Sequence, residues 1–168
     1  MSLKLIKRLF RHLLVLPGAA RRHFPEDSMQ RIEQAIIQSE LTHSGEICFV
    51  VESHLNIEDI FYRVSGRRRA ADVFSQFKVW DTEHNNGVLI YLLLADRDFE
   101  ILADRGVHQR VGDVGWERIC QQMETLFRRG QFEAGVIFGI EKIGEQLAQH
   151  YPANGTKLNE LANAPVIL

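Results

Sequence analysis

Residues 88–94, Val-Leu-Ile-Tyr-Leu-Leu-Leu, constrain the fold more than any other stretch. The run has no polar alternation, so it reads as a strand buried on both faces rather than one face of a solvated sheet. Asn85-Asn86-Gly87 precedes it and is turn chemistry, because Asn tolerates and Gly freely adopts a positive φ. Asp96-Arg97-Asp98 follows as a hairpin turn into a second strand, Phe99 to Asp104. Polar groups therefore collect at both ends of a rigid central hairpin, and a functional site is expected there.

A chain of 168 residues, 45% of them hydrophobic, suffices for one domain with a substantial core. The net charge of −2 hides an asymmetry. Residues 1–23 hold Lys4, Lys7, Arg8, Arg11, Arg21 and Arg22, whereas all 22 acidic residues lie beyond them. A basic arm on an acidic body predicts a surface contact made by the arm and argues against nucleic-acid binding by the domain. Cys48 and Cys120 sit in apolar strand and helix patterns and read as small buried hydrophobes. No run of 18 apolar residues predicts a transmembrane helix.

Along the chain, residues 1–23 form a basic amphipathic helix and linker, 24–151 the globular domain, and 152–168 a mobile tail. In the first helix, residues 3–16, the leucines, Ile6 and Phe10 share half of the wheel, with Lys4, Lys7, Arg8, Arg11 and His12 on the other. It is readable as a signal peptide, as a helix packed on the domain or a partner subunit, or as an interfacial helix on an anionic membrane. Pro17-Gly18 ends it and 19–23 is the linker. Helices are expected over 26–41, 57–64, 67–77, 113–129 and 132–150, and the first strand over 46–53. Arg105 to Asp113 reads as a two-glycine loop, with Asp113 as the next helix cap. Interleaved helices and strands predict a three-layer α/β/α sandwich with a small mixed central sheet.

The strand between the two polar clusters spans about 20 Å, at roughly 3.3 Å per residue, so Asp81/Glu83 and Asp96/Asp98 cannot share one ion. Asp96, Arg97 and Asp98 are left as turn residues. The returning strand brings Asp104 back beside Asp81, Asn85 and Asn86, and these four are the candidate ligands for Ca²⁺ or Mg²⁺. His84, His108, Arg110 and Asp113, with the triple arginine Arg67-Arg68-Arg69, are candidate partner or phosphate contacts. Lys4, Lys7, Arg8 and Arg11, with Leu9, Phe10 and Leu13, are the candidate membrane or partner contacts of the first helix. No nucleotide-binding, zinc-protease or serine-hydrolase motif is present, and no catalytic residue is assigned.

Ser44-Gly45-Glu46-Ile47, Phe77-Lys78-Val79-Trp80, Asn85-Asn86-Gly87-Val88-Leu89-Ile90, Asp96-Arg97 with Phe99-Glu100-Ile101, and Gly106-Val107-His108 together resemble the TPM domain family over about residues 26–150. The N-N-G-V-L to D-R-x-x-x-I spacing is the most specific part, and the chain is most similar to a soluble bacterial subgroup. The resemblance implies an α/β/α sandwich. It also implies either a divalent-cation-dependent acid phosphatase, as described for plant members, or an accessory module of a membrane complex. Many members carry a signal peptide and a membrane anchor. The family's G-Y-G is here Gly106-Val107-His108, and its following L-E-G is Gln109-Arg110-Val111.

The resulting expectation is an accessory or adaptor domain, not an enzyme, that binds a protein partner or a divalent cation at the loop end of the sheet. Its helix would dock it to a membrane-associated complex or an anionic membrane, at the cytoplasmic face of the inner membrane, or pair two copies as a homodimer. The alternative is a metal-dependent phosphatase-like hydrolase, with His84 or His108 as acid/base.

Overall fold

The computed structural model describes residues 3–16, 18–153, 155 and 159–168. Pro17 of the expected helix stop and Asn154 of the Asn154-Gly155 turn signal lie outside them. In chain order the elements are α1 (Leu3–Leu14), α2 (Ala19–His23), α3 (Glu26–Glu40), β1 (Glu46–Glu52), α4 (Ile57–Phe61), α5 (Gly66–Gln76), β2 (Gly87–Leu93), β3 (Asp98–Ala103), α6 (Arg105–Arg128), α7 (Phe132–His150) and β4 (Val166–Ile167).

The sheet runs β3-β2-β1-β4. β1 is parallel to β2 and to β4, and β2 pairs antiparallel with β3. Every residue of β1 and β2 is buried, as continuous apolar runs demand of strands covered on both faces. Period-2 alternation sorts their side chains between two cores. Ile47, Phe49, Val51, Val88, Ile90 and Leu92 join Ile32, Trp116, Met123, Val136 and Ile140 from α3, α6 and α7. Cys48, Val50, Leu89, Tyr91 and Leu93 join Ile60, Ala70 and Val73 from α4 and α5, with Leu5 and Leu9 of α1 against them. This is the three-layer α/β/α sandwich expected from the sequence.

Three local expectations change, and a fourth gains a packing role. The stretch from Arg105 is not a loop: Asp104 caps a helix through Oδ1 and the Arg105 N–H at 2.6 Å. That helix breaks at Gly112, whose φ of 70° and ψ of 166° no other residue type adopts comfortably. The basic linker is helix α2, whose Ala20 is buried and donates its N–H to Ser53 Oγ at 3.2 Å. Residues 159–168 are not a loose tail, because β1 would otherwise leave its outer edge unpaired and β4 takes that place. The Asn-Asn-Gly turn is a packing device: Asn85 takes φ 50°, and buried Asn86 ties the loop to Thr82 and to the Ser44 carbonyl.

Candidate functional site

The end of the sheet where β1 and β2 begin carries a hollow of about 910 Å³, bordered by Trp80, His84, Asn85, Asp104, Arg105, Arg110 and Tyr151. Arg110 stacks 4.7 Å over the Tyr151 ring and donates to the His150 carbonyl at 3.1 Å. Stacking and one anchored N–H fix this guanidinium while leaving other donors for a ligand.

Asp81 borders a different hollow, with Cys48, Phe77, Lys78 and Glu160. Asn86 is fully buried, its amide committed to Ser44. Of the four expected cation ligands, only Asn85 and Asp104 border the same hollow, and Asp104 uses one oxygen on its own helix. Among the described residues, no three His, Cys, Asp or Glu side chains form a group that could hold a metal ion. The donor set does not fit a hard cation, which needs about six oxygens. The hollow holds Arg105, Arg110 and His84 beside the carboxylate of Asp104, an excess of cationic and donor groups that suits an acidic group. His108 faces Asp113 at 3.5 Å in a neighbouring hollow that it shares with Trp116 and Glu117.

The triple arginine does not converge on an outside anion. Arg69 makes a two-point bond to Glu52 at 2.8 and 3.0 Å, and Tyr91 donates to the same carboxylate at 2.5 Å. Arg67 reaches Glu100 and the Ile101 carbonyl at 3.2 and 3.0 Å, and Arg68 is exposed. Two of the three cations thus fasten α5 to the sheet.

At the opposite end of the sheet, the β2–β3 turn holds a cluster that the sequence reading passed over. Asp96 receives Arg8 Nε and Nη2 at 2.9 and 2.6 Å and Arg11 Nη2 at 2.7 Å. Arg8 Nη2 also reaches the Val64 carbonyl at 2.7 Å. The Leu55 N–H donates to His12 Nδ1 at 3.0 Å, so the ring proton belongs on Nε2. Nε2 lies 3.1 Å from Asp96 Oδ1 along a bent path, a close electrostatic contact rather than a well-formed hydrogen bond. Burial by itself would raise the Asp96 pKa, but His12 and Arg8 overcome it and hold the carboxyl well below its ordinary range. The turn assigned to structure alone is therefore the anchor of the N-terminal helix. Its partners lie 84–88 positions away in sequence, so no local signal marked it.

This anchoring decides which face of α1 is buried. Leu5, Arg8, Leu9 and His12 face the body, spaced as one helical face at i, i+3, i+4 and i+7. Leu3, Lys7, Phe10 and Leu14 occupy the opposite face, flanked by Lys4 and Leu13. Phe10 and Leu13 are each 59% exposed and Leu14 76%. Of the polar half, His12 is thus buried and Arg8 half-buried, and much of the apolar half is outside. α4, packed beside α1, adds exposed Ile57, Phe61 and Tyr62. None of the described helices is long and apolar enough to cross a membrane.

Fold and site together define an α/β/α sandwich with an anchored basic helix at one end and a cationic hollow at the other. The TPM domain profile matches residues 22–146, and the chain belongs to the TPM domain family. It is similar to the BA42 protein of the psychrophilic bacterium Bizionia argentinensis, at 32% identity and a TM-score of 0.75, over 84% of this chain and 93% of that one. A more distant likeness, to the N-terminal domain of a P. gingivalis protein, has 16% identity and a TM-score of 0.60 over 76% of this chain and 81% of that one, and speaks to fold alone. No curated protein matches.

Proposed function

We propose that this chain is an accessory TPM domain that docks on an anionic membrane face through α1 and holds an acidic group of a protein partner in the Arg105–Arg110 hollow. The observation behind the membrane half is the orientation of α1: Leu3, Phe10, Leu13 and Leu14 point away from the body, beside Lys4 and Lys7. An apolar ridge flanked by cations matches the boundary between acyl chains and anionic headgroups. Lys4, Lys7 and Arg11 would add about 1 kcal/mol each near such a surface. Burying Phe10, Leu13 and Leu14 adds roughly 1–2 kcal/mol apiece. These contributions support reversible peripheral attachment. The partner half is supported by Arg105, Arg110 and His84, which outnumber Asp104 in that hollow. A cation-dependent phosphatase draws less support, since Asp81 and Asp104 border separate hollows.

Co-sedimentation of the full chain with vesicles tests the membrane half. Binding is expected to phosphatidylcholine vesicles containing phosphatidylglycerol, to weaken at high salt, and to be near background without the anionic lipid. Phe10→Glu with Leu13→Glu should reduce it by about two orders of magnitude, since neither side chain contacts the core. Equal recovery of the double variant would overturn the reading. Concentration-dependent dimerisation lost in the same variant would assign the ridge to a second copy instead.

A further inference from the structure

The far edge of β1 is occupied by the chain's own C-terminal segment, and this contact has the form of a bound peptide. Val166 and Ile167 pair in parallel with Val50 and Val51, and the Leu168 N–H extends the ladder to the Val51 carbonyl at 2.9 Å. Upstream, the buried carboxylate of Glu46 receives the N–H groups of Glu160 and Leu161 at 3.4 and 3.3 Å. Glu40 receives the Asn163 amide at 2.9 Å, and Glu160 accepts the Glu83 N–H at 3.0 Å. The body thus offers a sheet edge and the buried Glu46 carboxylate to the segment's backbone, and the Glu40 carboxylate to a side-chain amide.

The segment fills this seat poorly. Hollows of about 690 Å³ and 320 Å³ lie on its two sides, and Ala162 and Ala164, both exposed, border both of them. Ile37 of α3 and Leu41 just after it stand across the first, and Cys48 and Phe77 across the second. Side chains larger than alanine at these two positions would bury apolar surface that the chain's own segment leaves open.

We propose that the β1 edge is a strand-addition site for an extended apolar peptide of a protein partner, and that residues 159–168 are its weaker built-in occupant. Main-chain bonds to Val51 and Glu46 would supply affinity, and larger residues in place of Ala162 and Ala164 would supply preference. Tethering gives the built-in segment a high effective concentration, so only a better-filling peptide displaces it. The proposal is independent of vesicle binding and of the Arg105–Arg110 hollow.

The test uses the full chain with Cys120→Ser, so that Cys48 is the only thiol. Cys48 is 6% exposed beside the segment, and burial raises its pKa to about 12, so alkylation by iodoacetamide should be slow. Val166→Asp with Ile167→Asp should loosen the segment and speed alkylation at least about tenfold, with the helical circular-dichroism signal retained. A synthetic peptide of residues 159–168 should restore protection. The same peptide with Ala162→Leu and Ala164→Val should do so at about tenfold lower concentration, and a scrambled peptide should not. In the chain with an intact segment, the bulkier peptide should move the Val166 and Ile167 amide resonances to released-segment positions. That arm decides if the double aspartate chain does not fold. Unchanged Cys48 reactivity in a folded double variant, no protection by either peptide, or unmoved resonances at saturation would each overturn the proposal.

Discussion

Replacing Asp96 with alanine is expected to free α1 from the body and to reduce stability by about 3 kcal/mol, because it leaves Arg8 beside an apolar core without its counter-charge. The Asp96 side chain is 11% exposed, accepts from Arg8 and Arg11, and lies in close contact with His12. Arg11→Ala should cost under about 1 kcal/mol, since its side chain is 52% exposed and solvent screens the pair. Urea midpoints measure both. Rapid trypsin cleavage within residues 3–14 of Asp96→Ala, but not of Arg11→Ala, would locate the loss in α1. Vesicle binding by the Asp96→Ala chain should persist or increase, because Leu5 and Leu9 then join the exposed ridge. An unchanged midpoint for Asp96→Ala would refute the anchoring role.

The same carboxylate predicts an acid limit. Its pKa in the folded chain lies below the ordinary 3.8. The stability it contributes is therefore fully present above that ordinary value and is lost as pH falls from there through the depressed one. Protection of α1 from proteolysis by an acid-active protease such as pepsin should fade from about pH 4 downward, and the Asp96→Ala chain should lack this dependence.

Gly87→Ala is expected to be at least as damaging and for a different reason. A Cβ built on Gly87 would stand 1.9 Å from the Val79 carbonyl oxygen, a backbone atom with nowhere to rotate. Val79 is fully buried, and the Gly87 carbonyl already accepts the Asp104 N–H at 2.8 Å. Relief requires moving either the start of β2 or the loop that carries Trp80 and His84. We expect a loss of about 3 kcal/mol or more, or failure to accumulate as folded protein. Denaturant unfolding checks it, with Gly112→Ala as the contrast: space is open there, and only the backbone conformation opposes a side chain, at about 1–3 kcal/mol. A Gly87→Ala chain as stable as Gly112→Ala would show that the turn yields.

The comparison of Gly87 with Asp96 separates what could be read from the chain alone from what could not. Val88–Leu94 announced a doubly covered strand because seven apolar residues in a row have no polar face to expose. Asn85-Asn86-Gly87 announced a turn through backbone preferences of the residues themselves. The free cysteines, the helix boundaries near Phe132–His150 and the α/β/α layering followed in the same way from local pattern. Arg105–Gly112 was misread because two glycines suggest a loop, whereas Asp104 capping and contact with the sheet outweigh that propensity. The site suffered most. Four oxygen-bearing side chains at one sheet end looked like a cation site, but the loop directs Asp81 and Asn85 to different hollows, and in the larger one Arg105 and Arg110 outnumber Asp104.

By itself, the sequence determined the hydrophobic strands, the helices, the family and the presence of a basic amphipathic arm, because each is encoded in neighbouring residues through periodicity and backbone preference. Only the tertiary structure decided which face of that arm is buried. Asp96 is brought within 3 Å of Arg8 and Arg11 by the β2–β3 hairpin, and a partly buried carboxylate with three cationic or donor partners outweighs the gain from turning the leucines inward. The tertiary structure likewise decided that residues 166–168 complete the edge of β1, since a sheet edge needs pairing wherever the chain can reach it.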